Sequence, residues 1–271
     1  MEVRTNGGRD RLAVSSVVCD DGVRLVYQVD GEGPAMVFVA GLGDDRRSWA
    51  NQVAHFSTDH TVITFDNRGC GESDVPPGPY SIARLARDAH SVAAASGLTG
   101  ITAVGSSMGG AICQRWAVDR PADIARLVIT NSWGERDTFT DALFEHWISV
   151  AGAGSAAHIL QSLLLFCYSP EYLARHPETV AAFLASPPPN LSGFVAAAHA
   201  CLNHDTTAVA GQIGQPALVI AGTFDILTRP VLSERLASRL PAATLRKLPT
   251  GHMVFWEMPD AFNALVREFV R

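Results

Sequence analysis

The chain has 271 residues, of which 47% are hydrophobic and 18% charged, enough apolar material for one large domain or for one domain with an insertion. Its formal net charge of −6 is spread without long runs, so no basic face for a nucleic-acid partner is expected. Neither a signal peptide nor an apolar run of the ~18 residues that a membrane span needs is visible, so we expect a cytoplasmic protein without membrane association.

The five cysteines are an odd number, and no two of them have the spacing of metal ligands. They are expected to be reduced thiols, as in cytoplasmic proteins. No metal and no cofactor is expected; the expected partner is a small-molecule substrate, and a homodimer is left open as the assembly. The polar residues 1–13 are predicted to form a flexible N-terminal tail.

Strand and helix patterns alternate along the rest of the chain. Two strands, at 14–19 and 24–29, are predicted to form a hairpin around Asp20-Asp21-Gly22. The other core strands are predicted at 35–40, 61–65, 101–104, 124–130, 217–221 and 244–248, and the core helices at 48–56, 82–96, 107–118, 231–240 and 259–270. Buried strands joined by crossover helices predict an α/β fold, a doubly wound, mostly parallel eight-stranded sheet with the hairpin at one edge.

Residues 134–210 interrupt this alternation. They contain several amphipathic helices and no clear strand, and the stretch 155–166 is the most apolar. We predict a helical cap inserted after the sixth strand, with the core formed by residues 14–133 and 211–271. A cap would enclose a pocket and exclude water from it. The alternative is a second helical bundle packed elsewhere.

A Gly-x-Ser-x-Gly pattern lies between the predicted strand at 101–104 and the helix that follows it. Gly105 and Gly109 lack side chains, so the strand and the helix can come close while Ser107 stands at the tip of a sharp turn. The hydroxyl would lie near the positive end of the helix, where negative charge can build during acyl transfer. Ser107 is the predicted nucleophile, and the alternative is an ordinary serine at a helix start.

A serine nucleophile needs a base and an acid that orients the base, and candidates for both follow strands. His252 comes after the last strand and would take the serine proton and later give it to the leaving group. Asp225 comes after the seventh strand and is the predicted acid, with a helix or turn cap as its alternative role. Glu135 and Asp137 are the fallback acids.

The oxyanion is expected to be stabilised by backbone N–H groups. Met108 follows the nucleophile and supplies the first predicted donor. Leu42 is predicted to supply the second, because Gly41 and Gly43 on either side of it allow the backbone to turn its N–H groups inward after the third strand.

A further motif, at residues 66–74, follows the fourth strand. Its glycines and polar side chains predict a tight turn held by side-chain hydrogen bonds. Arg68 is interpreted as part of this structural turn, with contact to a substrate carboxylate as the alternative.

Candidate pocket residues are one polar neighbour of the nucleophile and a set of large apolar side chains. They are Ser106, Trp133, Trp147, Leu163, Leu164, Phe166 and Phe194. Apolar side chains in helices are more typical of a core than of a pocket wall, so a core position is the alternative for each.

Five motifs occur in order at the predicted strand ends. They are Ala40-Gly-Leu-Gly, Asp66-x-Arg-Gly-x-Gly-x-Ser, Gly105-x-Ser-x-Gly, Gly222-x-x-Asp and Gly251-His. Together they resemble the α/β-hydrolase superfamily over about residues 20–271, with its order of Ser, Asp and His. Within it, the chain resembles the compact capped branch of 3-oxoadipate enol-lactonases, aminoacrylate hydrolases and meta-cleavage product hydrolases. Ala40 and Ser106 depart from this pattern, since histidine is frequent at both positions.

The resemblance implies a cofactor-independent serine hydrolase of the esterase or lactonase type. It would act on a small ester, lactone or related carbonyl substrate through an acyl-enzyme on Ser107. Two alternatives remain open at this stage. One is a carbon–carbon bond hydrolase with the same triad, and the other is a non-hydrolytic lyase, cyclase or ligand-binding protein on the same fold.

Overall fold

The computed structural model describes residues 14–271, so the tail predicted for residues 1–13 lies outside the described residues. Eight strands are present: β1 (Ser15–Val18), β2 (Arg24–Asp30), β3 (Ala35–Val39), β4 (Thr61–Phe65), β5 (Ile101–Ser106), β6 (Ile124–Thr130), β7 (Ala217–Gly222) and β8 (Ala243–Leu248). They form one sheet in the order β1-β2-β4-β3-β5-β6-β7-β8. β2 pairs antiparallel with β1 and β4, and the other pairings are parallel, which confirms the predicted sheet and its edge hairpin.

Helices connect and cover these strands. They are α1 (Ala50–Phe56), α2 (Ile82–Ala95), α3 (Met108–Asp119), α4 (Thr138–Gly152), α5 (Ala156–Cys167), α6 (Pro170–Arg175), α7 (Pro177–Leu184), α8 (Leu191–Leu202), α9 (Pro230–Arg239), α10 (Val254–Glu257) and α11 (Pro259–Val270). Within residues 14–271, no helix has both the length and the apolar character needed to cross a bilayer.

The central strands β3, β5 and β7 are buried on both faces because helices cover both faces of the sheet. Along β3, Val37 and Val39 are buried in one apolar cluster, with residues of α2, α3 and α9. Met36 and Phe38 are buried in the other cluster, with residues of α1 and α11. This alternation follows from the two-residue period of a strand, and it explains why β3 is a continuous apolar run.

Most predicted boundaries agree with the structure to within one or two residues, but two elements differ. The helix predicted at 48–56 begins as a 3-10 turn, Arg46–Trp49, because the Asp45 side chain accepts the Arg47 N–H at 2.8 Å and caps the chain there. The short helix α10 begins after the loop of residues 249–253 that follows the last strand, and it had no sequence prediction.

Helices α4 to α8 lie between β6 and β7 and form the cap over the carboxyl ends of the strands. The carboxylate of Glu257 ties the junction of α5 and α6 to the core, since it accepts the backbone N–H of Ser169 at 2.8 Å and its hydroxyl at 2.7 Å. The core loop at Tyr80 donates its N–H to the Ala196 carbonyl of α8 at 3.0 Å. These are two of the places where hydrogen bonds join the cap to the core.

Candidate active site

Ser107 lies on the sharp turn between β5 and α3. Its backbone has φ +54° and ψ −118°, a strained conformation for a residue with a side chain. The turn can close because Gly105 and Gly109 have no Cβ. A Cβ on Gly109 would lie 2.0 Å from the Val39 carbonyl oxygen, and a Cβ on Gly105 would lie 2.3 Å from the carbonyl oxygen of Gly109. Only glycine fits at either position. The close packing of α3 on β3 and β5 that results brings the Ser107 side chain to the carboxyl end of the sheet.

His252 and Asp225 form a buried hydrogen-bonded pair beside this turn. Nδ1 of His252 lies 2.8 Å from Oδ2 of Asp225, and both residues are 3% exposed. Because an ionised carboxylate only accepts hydrogen bonds, Nδ1 carries the proton and Nε2 is left as a base. The Ser107 hydroxyl makes no hydrogen bond to a described residue, so it is free to turn toward the imidazole.

The Asp225 carboxylate is held in position by its own turn. Its Oδ1 accepts the backbone N–H groups of Leu227 at 2.8 Å and Thr228 at 3.1 Å, and its Oδ2 lies 2.9 Å from Oγ1 of Thr228. The same Oγ1 lies 3.1 Å from Nδ1 of His252. The turn-capping role considered for Asp225 and its contact with His252 therefore occur together.

Asn131, directly after β6, fixes the loop that carries His252, and it was missed at the sequence level. Its side-chain amide donates to the carbonyl oxygens of Gly251 and His252 and accepts the Gly222 N–H at 2.7 Å. Its φ of +46° is a left-handed conformation that asparagine tolerates better than most residues. A polar residue at the end of a buried parallel strand was the signal available.

The two predicted oxyanion donors are unpaired backbone groups. Among the described residues, no acceptor is hydrogen-bonded to the N–H of Leu42 or of Met108, although both residues are buried. Buried unpaired N–H groups are rare in proteins, so two of them beside Ser107 indicate a place for a ligand oxygen. The Met108 group also lies at the N-terminus of α3, which favours negative charge.

An enclosed cavity brings these residues together between the core and the cap. Its polar lining residues are Asp44, Ser106, Ser107, Cys167, Tyr168 and His252. Its apolar lining residues are Leu42, Phe144, Trp147, Leu163, Phe183, Leu227 and Met253. The cavity volume is about 40 Å³, where one water molecule needs roughly 10–15 Å³. Ser106, Trp147 and Leu163 are the predicted pocket residues that line it.

Four predicted pocket residues do not line this cavity. Trp133 packs inside the core against Phe144, with ring centroids 5.6 Å apart. The ring centroid of Trp147 lies 6.1 Å from that of Phe166 and 6.3 Å from that of Phe194, which is fully buried. Leu164 turns into the apolar cluster on the other face of the sheet.

The fallback acids and Arg68 are engaged in ion pairs away from this cavity. Glu135 pairs with Arg235 and Arg239, and Asp137 caps α4. Arg68 is buried, with two nitrogens on the Asp88 carboxylate and a third on Asp21. Its guanidinium thus holds the structural turn against Asp88 and Asp21, and Arg68 does not line the cavity.

Asp44 and Tyr168 complete the cavity and were not singled out from the sequence. Burial and the neighbouring Asp45 carboxylate raise the pKa of Asp44 to about 6, and His252 opposes that shift.

Burial raises the pKa of Cys167 well above its ordinary value, so its thiol is protonated and a poor nucleophile beside Ser107. Within residues 14–271, no group of three or more His, Cys, Asp or Glu side chains is placed to hold a metal ion.

Comparison with known proteins agrees with this architecture. Residues 34–259 match a family model described as alpha/beta hydrolase fold. A relative from Caulobacter segnis, named "Putative carbamate hydrolase RutD", is 30% identical over 91% of this chain and 96% of its own length. The enol-lactonase from Burkholderia xenovorans superposes with a TM-score of 0.89 at 27% identity, covering 94% of this chain and 99% of that chain. Est816, described as an N-acyl homoserine lactone degrading enzyme, superposes with a TM-score of 0.82 at 29% identity, covering 93% and 99%. The chain belongs to the α/β-hydrolase fold family.

Proposed function

We propose that this protein is a cofactor-independent serine hydrolase that cleaves a small ester, lactone or related carbonyl compound through an acyl-enzyme on Ser107. One observation carries the proposal: the strained serine of the turn and the hydrogen-bonded pair of His252 and Asp225 line or adjoin one enclosed cavity. A serine at an ordinary helix start needs neither the positive φ nor a buried imidazole beside it.

The proposed reaction has two halves. In the first, Nε2 of His252 takes the proton of Ser107 as its Oγ attacks the carbonyl carbon, and Asp225 stabilises the imidazolium that forms. The N–H groups of Leu42 and Met108 stabilise the negative oxygen of the tetrahedral intermediate. The intermediate collapses, and His252 gives its proton to the departing alcohol oxygen.

In the second half, water replaces the alcohol. His252 takes a proton from the water as its oxygen attacks the acyl carbon, and a second tetrahedral intermediate forms. When this collapses, His252 returns the proton to the Ser107 oxygen and the carboxylic acid leaves. For a lactone, the alcohol and the acid are the two ends of one product.

The relatives support the reaction class rather than one substrate. The names of the two structural relatives refer to lactones, and the name of the curated relative refers to a carbamate. Lactones and carbamates both present a carbonyl carbon bonded to a heteroatom that can leave. The small volume of the cavity favours a short acyl group, since a long chain would require the cap to move.

The test is covalent labelling combined with turnover. Wild type, Ser107→Ala and Ser106→Ala would be incubated with a fluorophosphonate and analysed by mass spectrometry, and then assayed with short p-nitrophenyl esters, small lactones and phenyl carbamates. Ser106 lines the same cavity but is the last residue of β5 and not the residue of the strained turn, so Ser106→Ala controls for a label on the wrong serine.

We expect the wild type and Ser106→Ala to carry one phosphonyl group and Ser107→Ala to carry none. Ester turnover is expected to fall by at least about 10⁴ in Ser107→Ala, since loss of a triad nucleophile in another enzyme costs on the order of 10⁶. A Ser107→Ala variant that keeps a tenth of the wild-type rate would refute the assignment. Labelling without turnover of any ester, lactone or carbamate would favour the cleavage of a carbon–carbon bond.

A further inference from the structure

Asp44 lies in the loop after β3 and lines the same cavity as Ser107 and His252. Its Oδ2 and the Cβ of Ser107 are each 3.5 Å from the point where a Cβ of Gly41 would stand. A single methyl group at that point would touch both residues. Because each distance is 3.5 Å, Oδ2 of Asp44 lies no more than 7.0 Å from the Cβ of the proposed nucleophile.

The side chain of Asp44 has no polar partner within residues 14–271. Among the described residues, neither of its oxygens makes a hydrogen bond or an ion pair. The two arginines that follow along the chain are engaged elsewhere. Arg46 contacts Asp66 and Glu72, and Arg47 contacts Asp45. Asp44 is partly buried and lines the cavity, so a ligand bound there is placed to supply the partner that the described residues do not.

A structural role is already filled by the next residue. Asp45, and not Asp44, caps the 3-10 turn, accepting the Arg47 N–H at 2.8 Å. The backbone N–H of Asp44 closes a turn on the Gly41 carbonyl, a contact that any residue type makes equally well. The side chain of Asp44 is thus free of the tasks that usually explain an aspartate in a loop.

No fixed positive charge among the described lining residues of the cavity balances Asp44. The described residues that line it include no lysine and no arginine. Groups that interact electrostatically with Asp44 are Asp45, His252, Cys70, Cys167 and Tyr168. With its pKa at about 6, Asp44 is mostly ionised at pH 7.5, so a charged group of a ligand in this partly buried site would be attracted or repelled by it according to its sign.

We propose that Asp44 determines substrate specificity: the cavity accepts substrates that place a cationic or hydrogen-bond-donating group near the scissile carbonyl and rejects those that place a carboxylate there. An ammonium, hydroxyl or amide group of the substrate would supply the partner that the protein does not. A substrate carboxylate would face an unpaired charge of the same sign. This inference rests on the proposed use of the cavity for substrate and adds the chemical class of that substrate.

The kinetic test uses three p-nitrophenyl esters with acyl chains of similar size: butanoate, hemisuccinate and β-alaninate, which are neutral, anionic and cationic at pH 7.5. In wild type, kcat/KM for the hemisuccinate is expected to be at least tenfold below that for the butanoate, and the β-alaninate is expected to equal or exceed the butanoate. In Asp44→Asn, which keeps the shape and removes the charge, all three values are expected to agree within about threefold. The matched control is Asp45→Asn, which removes an adjacent charge outside the cavity and is expected to keep the wild-type order.

A binding test keeps this inference separate from the proposed hydrolysis. Butanamide, succinamate and β-alaninamide would be titrated into Ser107→Ala and into Ser107→Ala/Asp44→Asn, with Asp44→Ser as a second variant and circular dichroism as the check of folding. If no ester is hydrolysed and no serine is labelled, the proposed function fails, but a tenfold preference for β-alaninamide over succinamate that disappears without Asp44 still supports the specificity role. Equal affinities in both proteins, no binding of any of the three amides, or an unchanged ester preference in Asp44→Asn would overturn it.

Discussion

The core turn that carries Ser107 and the cap that covers it are built with very different tolerances. In the turn, backbone packs on backbone, and a Cβ on Gly109 would meet the Val39 carbonyl oxygen at 2.0 Å. In the cap, α6 and α7 bury no side chain fully, and a Cβ on Gly152 would meet nothing within 4 Å. The position of Ser107 is thus set by backbone fit, which cannot be adjusted in small steps. The pocket walls are set by side chains, which can be exchanged one at a time.

The largest effect on the free energy of unfolding is expected from a pair of glycine substitutions, one in the turn and one in the cap. Gly109→Ala is expected to lower the free energy of unfolding by roughly 3–5 kcal/mol or to prevent folding, because the carbonyl group it meets belongs to the central strand β3 and cannot move aside. Gly152→Ala, at the exposed end of α4, is expected to raise it by about 0.5–1 kcal/mol, since alanine favours the helix and loses less entropy.

Urea unfolding followed by circular dichroism measures both effects as shifts in the midpoint. The opposite signs matter more than the sizes, because both changes add the same single methyl group. Equal midpoints for the two variants would show that the turn and the cap tolerate a methyl group alike, and the proposed difference between the regions would be wrong.

A smaller effect is expected where the cap returns to the core, at His204. This imidazole is buried against the Trp133 ring, its Nε2 has no hydrogen-bond partner, and burial lowers its pKa to about 4. An unfolded histidine has its ordinary pKa of about 6.5. Between these two values the unfolded chain binds the extra proton and the folded protein does not, so stability is complete above pH 6.5 and is lost as the pH falls toward 4.

The total loss from this group is on the order of 3 kcal/mol. His204→Gln cannot take up a proton and should lose less stability over the same pH range, although it begins from a lower value at pH 7. Wild type and variant would be compared by urea unfolding at pH 7, 6, 5 and 4.5. Parallel decreases in the two proteins would remove His204 as the cause.

The same contrast explains what could be predicted from the sequence. Parallel strands bring their carboxyl ends to one edge, so residues that follow three different strands, Ser107, Asp225 and His252, were predictable as neighbours without any knowledge of the loops. No comparable rule predicts which side chains of the cap helices face the cavity. Leu163 and Leu164 are adjacent and equally apolar, yet one lines the cavity and the other packs into the opposite cluster, because a helix turns about 100° per residue and its orientation is set by tertiary packing.

Loop residues were missed for a related reason. Asn131 and Asp44 belong to short segments whose conformation depends on contacts with distant parts of the chain, such as the hydrogen bonds from Asn131 to the His252 loop. Neither residue type nor spacing reveals which way such a side chain turns. Their roles emerge only when the neighbours of each polar atom are known.

The smallest effect is expected from a comparison of two phenylalanines of the cap, one that lines the cavity and one that does not. Phe183 and Phe166 are both half-buried residues of cap helices, but Phe183 lines the cavity and Phe166 lies outside it. Phe183→Ala should therefore enlarge the acyl site and shift the preference toward longer p-nitrophenyl esters. Each added methylene that becomes buried is worth about 0.8 kcal/mol, or roughly fourfold in kcat/KM. Phe166→Ala removes a ring of the same size and should leave the chain-length preference unchanged, so a similar shift in both variants would mean that the cap responds as one unit and that its walls are not independent.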